Sequence, residues 1–259
     1  IMKNTALITG ATSGIGKELA RIHASKGGDL IIVARREDEL EKLKSELESQ
    51  YKVEVHIIVA DLMKQGAGST VYKEIQSRGL RVDILMNNAG LGGYGNFTER
   101  PLQKELEMIQ LNIIALVELT HCLLPEMIKN GGGKILNTSS TAGFIPGPLQ
   151  TTYFATKAFV NSFSFGLDQE VRRHGVTVTA LCPGPVKTGF EAAAGMGSSD
   201  LFKRAATASS TALKGYAAME KGKLVVITDG QMKFLINFML PILPRRTVLK
   251  MVEKLQTVK

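Results

Sequence analysis

The sequence predicts a doubly wound α/β fold, a seven-stranded parallel sheet with helices on both faces. Two observations carry this. Short, nearly continuous apolar runs rich in β-branched residues alternate with helical segments along the chain, as expected for strands buried on both faces by crossover helices. A glycine-rich turn follows the first of these runs and opens a helix, the place where such sheets bind ligands.

The strands are expected at residues 5–8, 30–34, 53–59, 84–87, 134–138, 176–182 and 224–228. The first helix, 16–26, ends at Gly27 and Gly28. Segment 37–50 places Leu40, Leu43 and Leu47 at three- and four-residue spacing among charges, giving an amphipathic helix that lies on a sheet face. A further helix follows Pro101 and contains Asn112, and Gly131–Gly133 reads as a helix-to-strand turn. Small residues between Thr188 and Ser199 read as a flexible loop, followed by a helix around 201–219.

At 259 residues and 44% hydrophobic composition, the chain can bury one large core. No Pro/Ser-rich linker and no repeat interrupts it, so residues 2–230 are expected to form one domain, with 231–259 as an extension. Ile1 stands before Met2 and is read as an addition, and the first strand begins too soon to leave room for a signal peptide. The best candidate apolar run, 234–243, is broken by Asn237 and Pro241 and falls short of the ~18 residues needed to span a bilayer. Cys122 and Cys182 lie in apolar stretches, which reads as free buried thiols in a reducing compartment. The expectation is a cytoplasmic protein.

The formal net charge of +8 is uneven. Residues 232–259 hold Lys233, Arg245, Arg246, Lys250, Lys254 and Lys259 against Glu253, which is +5. The rest of the chain is close to balance, and no nucleic-acid-reading motif is present, so no nucleic-acid partner is expected. In the tail, Val248, Met251, Val252 and Leu255 share one side of a basic amphipathic helix. Packing on its own or a partner subunit, weak peripheral contact with an anionic membrane, and disorder are the three readings of this segment.

Gly10, Gly14 and Gly16 let backbone approach a pyrophosphate, and the following helix offers unpaired N–H groups and a partial positive charge to it. Asp61 stands after the third strand. After the second strand, Arg35 and Arg36 occupy the place where an NAD-preferring fold would carry a carboxylate. A guanidinium pairs bidentately with a 2′-phosphate, which favours the phosphorylated cofactor. Tyr153 and Lys157 stand four residues apart on one helical face, with Ser140 thirteen residues before the tyrosine. A phenol beside a cation and a hydroxyl is an arrangement suited to proton transfer.

Together these residues resemble the short-chain dehydrogenase/reductase family in its single-domain, NADP-preferring form, over about residues 3–230. The Thr9–Gly16 loop is similar to the family's TGxxxGxG, Asn87-Asn88-Ala89-Gly90 to its NNAG motif, and Pro183-Gly184-Pro185-Val186 with Thr188 to its PG motif. The resemblance implies a Rossmann-type fold and NADP(H) held by Gly10, Thr12, Ser13, Gly14, Ile15, Gly16, Arg35, Arg36, Asp61, Leu62, Asn88, Ala89, Gly90, Tyr153, Lys157, Pro183, Gly184, Val186 and Thr188. It also implies a catalytic set of Asn112, Ser140, Tyr153 and Lys157, with Ser140 preferred over Ser139 by its spacing.

In that scheme Tyr153 donates a proton to a carbonyl oxygen that Ser140 also hydrogen-bonds, Lys157 and the oxidised nicotinamide lower the phenol pKa, and Asn112 positions a water leading to Lys157. The expected activity is reversible, NADPH-dependent carbonyl reduction on a small molecule, in a homo-oligomer. Phe144, Ile145, Pro146, Leu149, Phe190 and Met196 suggest an apolar pocket for a medium-length substrate. A non-catalytic NADP(H)-sensing protein on the same fold is the alternative.

Overall fold

A computed structural model describes residues 4–190, 194–195 and 205–256. Its main sheet is all parallel, in the order β3-β2-β1-β4-β5-β6-β9. The strands are β1 (Thr5–Thr9), β2 (Asp29–Ala34), β3 (Val55–Val59), β4 (Ile84–Asn87), β5 (Gly133–Thr138), β6 (Val176–Cys182) and β9 (Val225–Ile227). All seven fall where the apolar runs predict, within two residues at either end. β7 (Val186–Lys187) and β8 (Ala206–Thr207) form a separate parallel pair that sequence reading misses, because two residues carry no periodic signal.

Side-chain alternation sends each strand's residues to two cores. Ala6, Ile8, Leu30, Ile32, Ile84 and Met86 meet α1 (Gly14–Ser25), α2 (Glu37–Tyr51) and α7 (Ala208–Glu220) on one face. Leu7, Ile31, Val33, Leu85 and Ile135 meet α3 (Ala67–Ser77), α5 (Ala115–Lys129) and the end of α6 (Thr151–Val171) on the other. Consecutive residues of the central strands, 6–9, 30–33 and 84–87, are therefore buried, which is why these strands read as unbroken apolar runs. Leu40, Leu43 and Leu47 are the buried stripe of α2, as their spacing predicts. The helix expected at 201–219 starts at Ala208 among the described residues.

α4 (Leu102–Ile109) runs through a π turn at Gln110–Ile114 into α5. Asn112 sits in that turn and is buried. Beyond β9, a short helix α8 (Gly230–Phe234) is capped by Asp229, whose carboxylate accepts from the N–H groups of Gln231 and Met232. α9 (Arg245–Gln256) then returns to the body. Val248 and Val252 pack with Ala142 and Phe154, while Met251 and Leu255, expected on the same side of the helix, are 46% and 62% exposed. Gln256 is buried in their place and accepts a hydrogen bond from the side chain of Gln150.

Candidate active site

β1 and β4 are neighbours in space whose connections leave in opposite directions along the sheet, and a cleft of about 1150 Å³ opens beyond their carboxyl ends. Of the residues expected to hold the nucleotide, all but Gly16 line it. Gly16 lies beneath: a Cβ there would stand 2.3 Å from the Gly10 carbonyl oxygen and 2.4 Å from Asn88 Nδ2. Gly10 takes a left-handed φ of 65° that disfavours a side chain. The loop is fixed by strand-end polar groups. Thr9 Oγ1 accepts from the N–H groups of Asn88 and Ala89, each at 3.0 Å, and Asn88 Nδ2 donates to Thr9 O at 3.1 Å.

The cleft fits NADP(H). Ser13 precedes α1 without a side-chain cap, and no acidic residue occupies the first turn, so its N–H groups and dipole are open to a phosphate. Arg35 and Arg36 are exposed at the cleft edge where β2 ends. Glu37, Asp38 and Glu39 occupy the first turn of α2 and already complement its dipole. The case for a 2′-phosphate therefore rests on the two guanidinium groups lining the cleft. Asp61 Oδ1 accepts from Met63 N at 3.1 Å, which fixes the turn that brings Asp61 and Leu62 to the same wall.

Ser140, Tyr153 and Lys157 also line this cleft. Ser139 does not compete with Ser140, because its hydroxyl donates to the main-chain oxygen of Lys157 at 3.0 Å and is buried. Ser140 Oγ accepts from Ala142 N at 3.1 Å, makes a long contact of 3.4 Å to Pro183 O and lies within hydrogen-bonding reach of the Tyr153 hydroxyl. Lys157 Nζ donates to Thr138 O at 2.9 Å and lies 5.8 Å from the centre of the Tyr153 ring.

The electrostatics differ from the expected lowering of the phenol pKa. Burial pushes the Tyr153 hydroxyl up to about 12, with the Ser140 side chain pulling weakly the other way. Burial pushes Lys157 down to about 8. Desolvation disfavours the charged form of each group, and it outweighs the Ser140 hydrogen bond at Tyr153 and the Cys182 interaction at Lys157. Asn112 is buried behind the cleft wall. Its Nδ2 donates to Leu91 O and Thr156 Oγ1, its Oδ1 accepts from Leu91 N, and it does not line the cleft. Its side chain holds the loop at Leu91.

The expected apolar pocket is partly right. Ile145 and Phe190 line the cleft, with Phe190 5.5 Å from the Tyr153 ring between centroids. Phe144, Pro146 and Leu149 do not line it, and Met196, with most of the expected flexible loop, lies outside the described residues. Sequence reading missed Phe154, Gln150, Met232, Val252, Leu255 and Gln256. The last four come from the C-terminal segment, and only its amphipathic spacing hinted at them.

A family model for the short chain dehydrogenases matches residues 4–197. The chain is 39% identical over 189 residues to a very-long-chain 3-oxoacyl-CoA reductase of Anas platyrhynchos, covering 71% of this chain and 60% of that protein. It is 40% identical over 195 residues to sulfoacetaldehyde reductase 2 of Chromohalobacter salexigens, covering 73% and 75%. Among solved structures, a short-chain dehydrogenase from Sphingobium yanoikuyae in complex with NADPH superposes with a TM-score of 0.83 at 31% identity, covering 89% of this chain and 90% of that one.

These findings correct the expectation of a cytoplasmic protein. The Anas relative is named for very-long-chain acyl substrates, and such chains partition into membranes. The 28-residue helix Leu102–Lys129 is also long and apolar enough to cross a membrane, with a mean hydropathy of 1.5 over 18 residues. Its charges lie mostly near its ends, and a search for unbroken apolar runs passed over it. In this fold Leu116, Leu119, Leu123 and Met127 bury one side of that helix in the protein. Fold, nucleotide cleft and family match agree: the chain belongs to the short-chain dehydrogenase/reductase family, oxidoreductases that use NAD(P)(H).

Proposed function

We propose that the chain carries the catalytic unit of an NADPH-dependent reductase that converts a carbonyl on an apolar chain to an alcohol, and the reverse. The observation that supports this most is the convergence of Ser140, Tyr153 and Lys157 on the wall of the nucleotide cleft. When bound, NADPH supplies the hydride. Tyr153, held neutral by its raised pKa, carries the proton for the carbonyl oxygen, and the Ser140 hydroxyl turns to hydrogen-bond that oxygen as charge builds on it. Lys157, at about 8, is mostly ammonium at neutral pH and places its charge beside the phenol ring. Its charge stabilises the phenolate left after proton transfer. Asn112 is a positioning residue that holds Leu91 at the cleft floor.

The substrate class follows from the wall facing Tyr153. Ile145, Phe154, Phe190, Met232, Val252 and Leu255 offer apolar surface, and few charges lie among them. The resemblance to a very-long-chain 3-oxoacyl-CoA reductase supports a 3-oxo group on an acyl chain, although this chain spans only about 60% of that relative. Exposed Leu102 and Leu106 of α4 and Ile114 of the π turn, with Phe159 stacked on Phe163 of α6, support a homo-oligomer.

The test is NADPH consumption with 3-oxoacyl thioesters and simple ketones of increasing chain length, run beside Tyr153→Phe. Turnover is expected to rise with chain length and to drop at least about 100-fold in the variant while NADPH binding is kept. Full turnover by Tyr153→Phe would falsify the proton assignment.

A further inference from the structure

The residues after β9 present apolar groups to solvent that the fold leaves uncovered. Phe234 and Phe238, one helical turn apart with ring centroids separated by 5.3 Å, are 58% and 65% exposed. Met239 and Ile242 follow at 42% and 80%. Globular surfaces seldom expose large apolar groups in such a cluster without a partner. The same segment carries Lys233, Arg245, Arg246, Lys250 and Lys254 against Asp229 and Glu253, and Asp229 is engaged in capping α8.

We propose that residues 233–254 are a docking surface for an anionic lipid bilayer, on which the protein lies without spanning it. Two independent features choose this occupant. Aromatic and aliphatic side chains enter the boundary between headgroups and acyl chains, and a surrounding excess of Lys and Arg meets anionic headgroups. A second copy of the chain would bring the same positive field against itself, which opposes association at this surface.

The surface also adjoins the cleft. Met232 immediately precedes the patch, Leu255 immediately follows it, and both line the cleft wall. A docked molecule would thus hold the mouth of its cleft toward the lipid, where an apolar substrate is most concentrated. The docking rests on surface composition alone and stands apart from the proposed reaction.

The test is co-sedimentation of the full chain with phosphatidylcholine vesicles, with and without about a third phosphatidylserine. Binding is expected only to the anionic vesicles and should weaken with salt. Arg245→Gln with Arg246→Gln should weaken it by about 30-fold, and Phe234→Ser with Phe238→Ser by at least as much. NADPH affinity and circular dichroism should stay unchanged in both variants. The chain has no tryptophan, so Ile242→Trp gives a single probe whose emission should shift to the blue on anionic vesicles. Equal binding to neutral vesicles, no binding to either kind, or an unshifted probe overturns the proposal. So does a change in the lipid-free sedimentation coefficient of the phenylalanine variant, which would assign the patch to a protein interface.

Discussion

Lys157 is held at a thermodynamic disadvantage that can be measured. Burial lowers its pKa from 10.5 to about 8, a gap worth roughly 3 kcal/mol at 1.36 kcal/mol per pH decade. Lys157→Met keeps the length and removes the buried charge, but leaves the Thr138 carbonyl, now 2.9 Å from Nζ, without that donor, at a cost of about 1–3 kcal/mol. At pH 7 the two effects nearly cancel or favour the variant by about 1–2 kcal/mol.

The sign changes at high pH. Because the folded pKa lies below the unfolded one, the unfolded chain binds the extra proton between pH 8 and 10.5. Wild-type stability therefore gains up to about 3 kcal/mol across that window, relative to the variant, and loses it as pH falls back through 8. Urea unfolding of both proteins without nucleotide, followed by circular dichroism at pH 7 and pH 10, isolates this difference because other titrations are shared. The variant should be as stable or more stable at pH 7, less stable at pH 10, and inactive at both. A stability difference that does not move with pH would refute a buried ammonium at this position.

Two further outcomes follow from the cleft. Arg35→Asp removes a guanidinium and adds a like charge facing a 2′-phosphate, so the NADPH-to-NADH preference should fall by about 10- to 100-fold in kcat/KM; an unchanged ratio places the phosphate elsewhere. Gly16→Ala forces a Cβ against the Gly10 carbonyl, and the loop must shift. Overpacking of about 1–3 kcal/mol should outweigh the roughly 1 kcal/mol gained in helix propensity, and calorimetric NADPH affinity should drop with it.

The sheet was legible because both its faces are covered. Runs such as Leu30 to Val33 are buried at every residue, so the strands announce themselves without alternation. The glycine loop was legible for a related reason: its sterics are local, and only the inward place of Gly16 needed coordinates. What escaped depends on distant packing. No sequence pattern says that Val252 and Leu255 reach the wall beside Tyr153, about a hundred residues away, or that the Asn112 amide is spent on Leu91. The desolvation of Tyr153 and Lys157 was out of reach on the same ground. Spacing gives the partner of a charge, whereas the depth of its burial belongs to the whole fold.

The buried amide pair of Gln150 and Gln256 ties the last turn of α9 to the start of the helix that bears Tyr153. During synthesis the nucleotide half is complete long before residue 245 is made, yet the side of the cleft lined by Val252 stays open until then. The wall that Val252 lines is thus the last part of the cleft to be made. Products cut short before α9 should still retain NADPH while choosing poorly among carbonyl compounds.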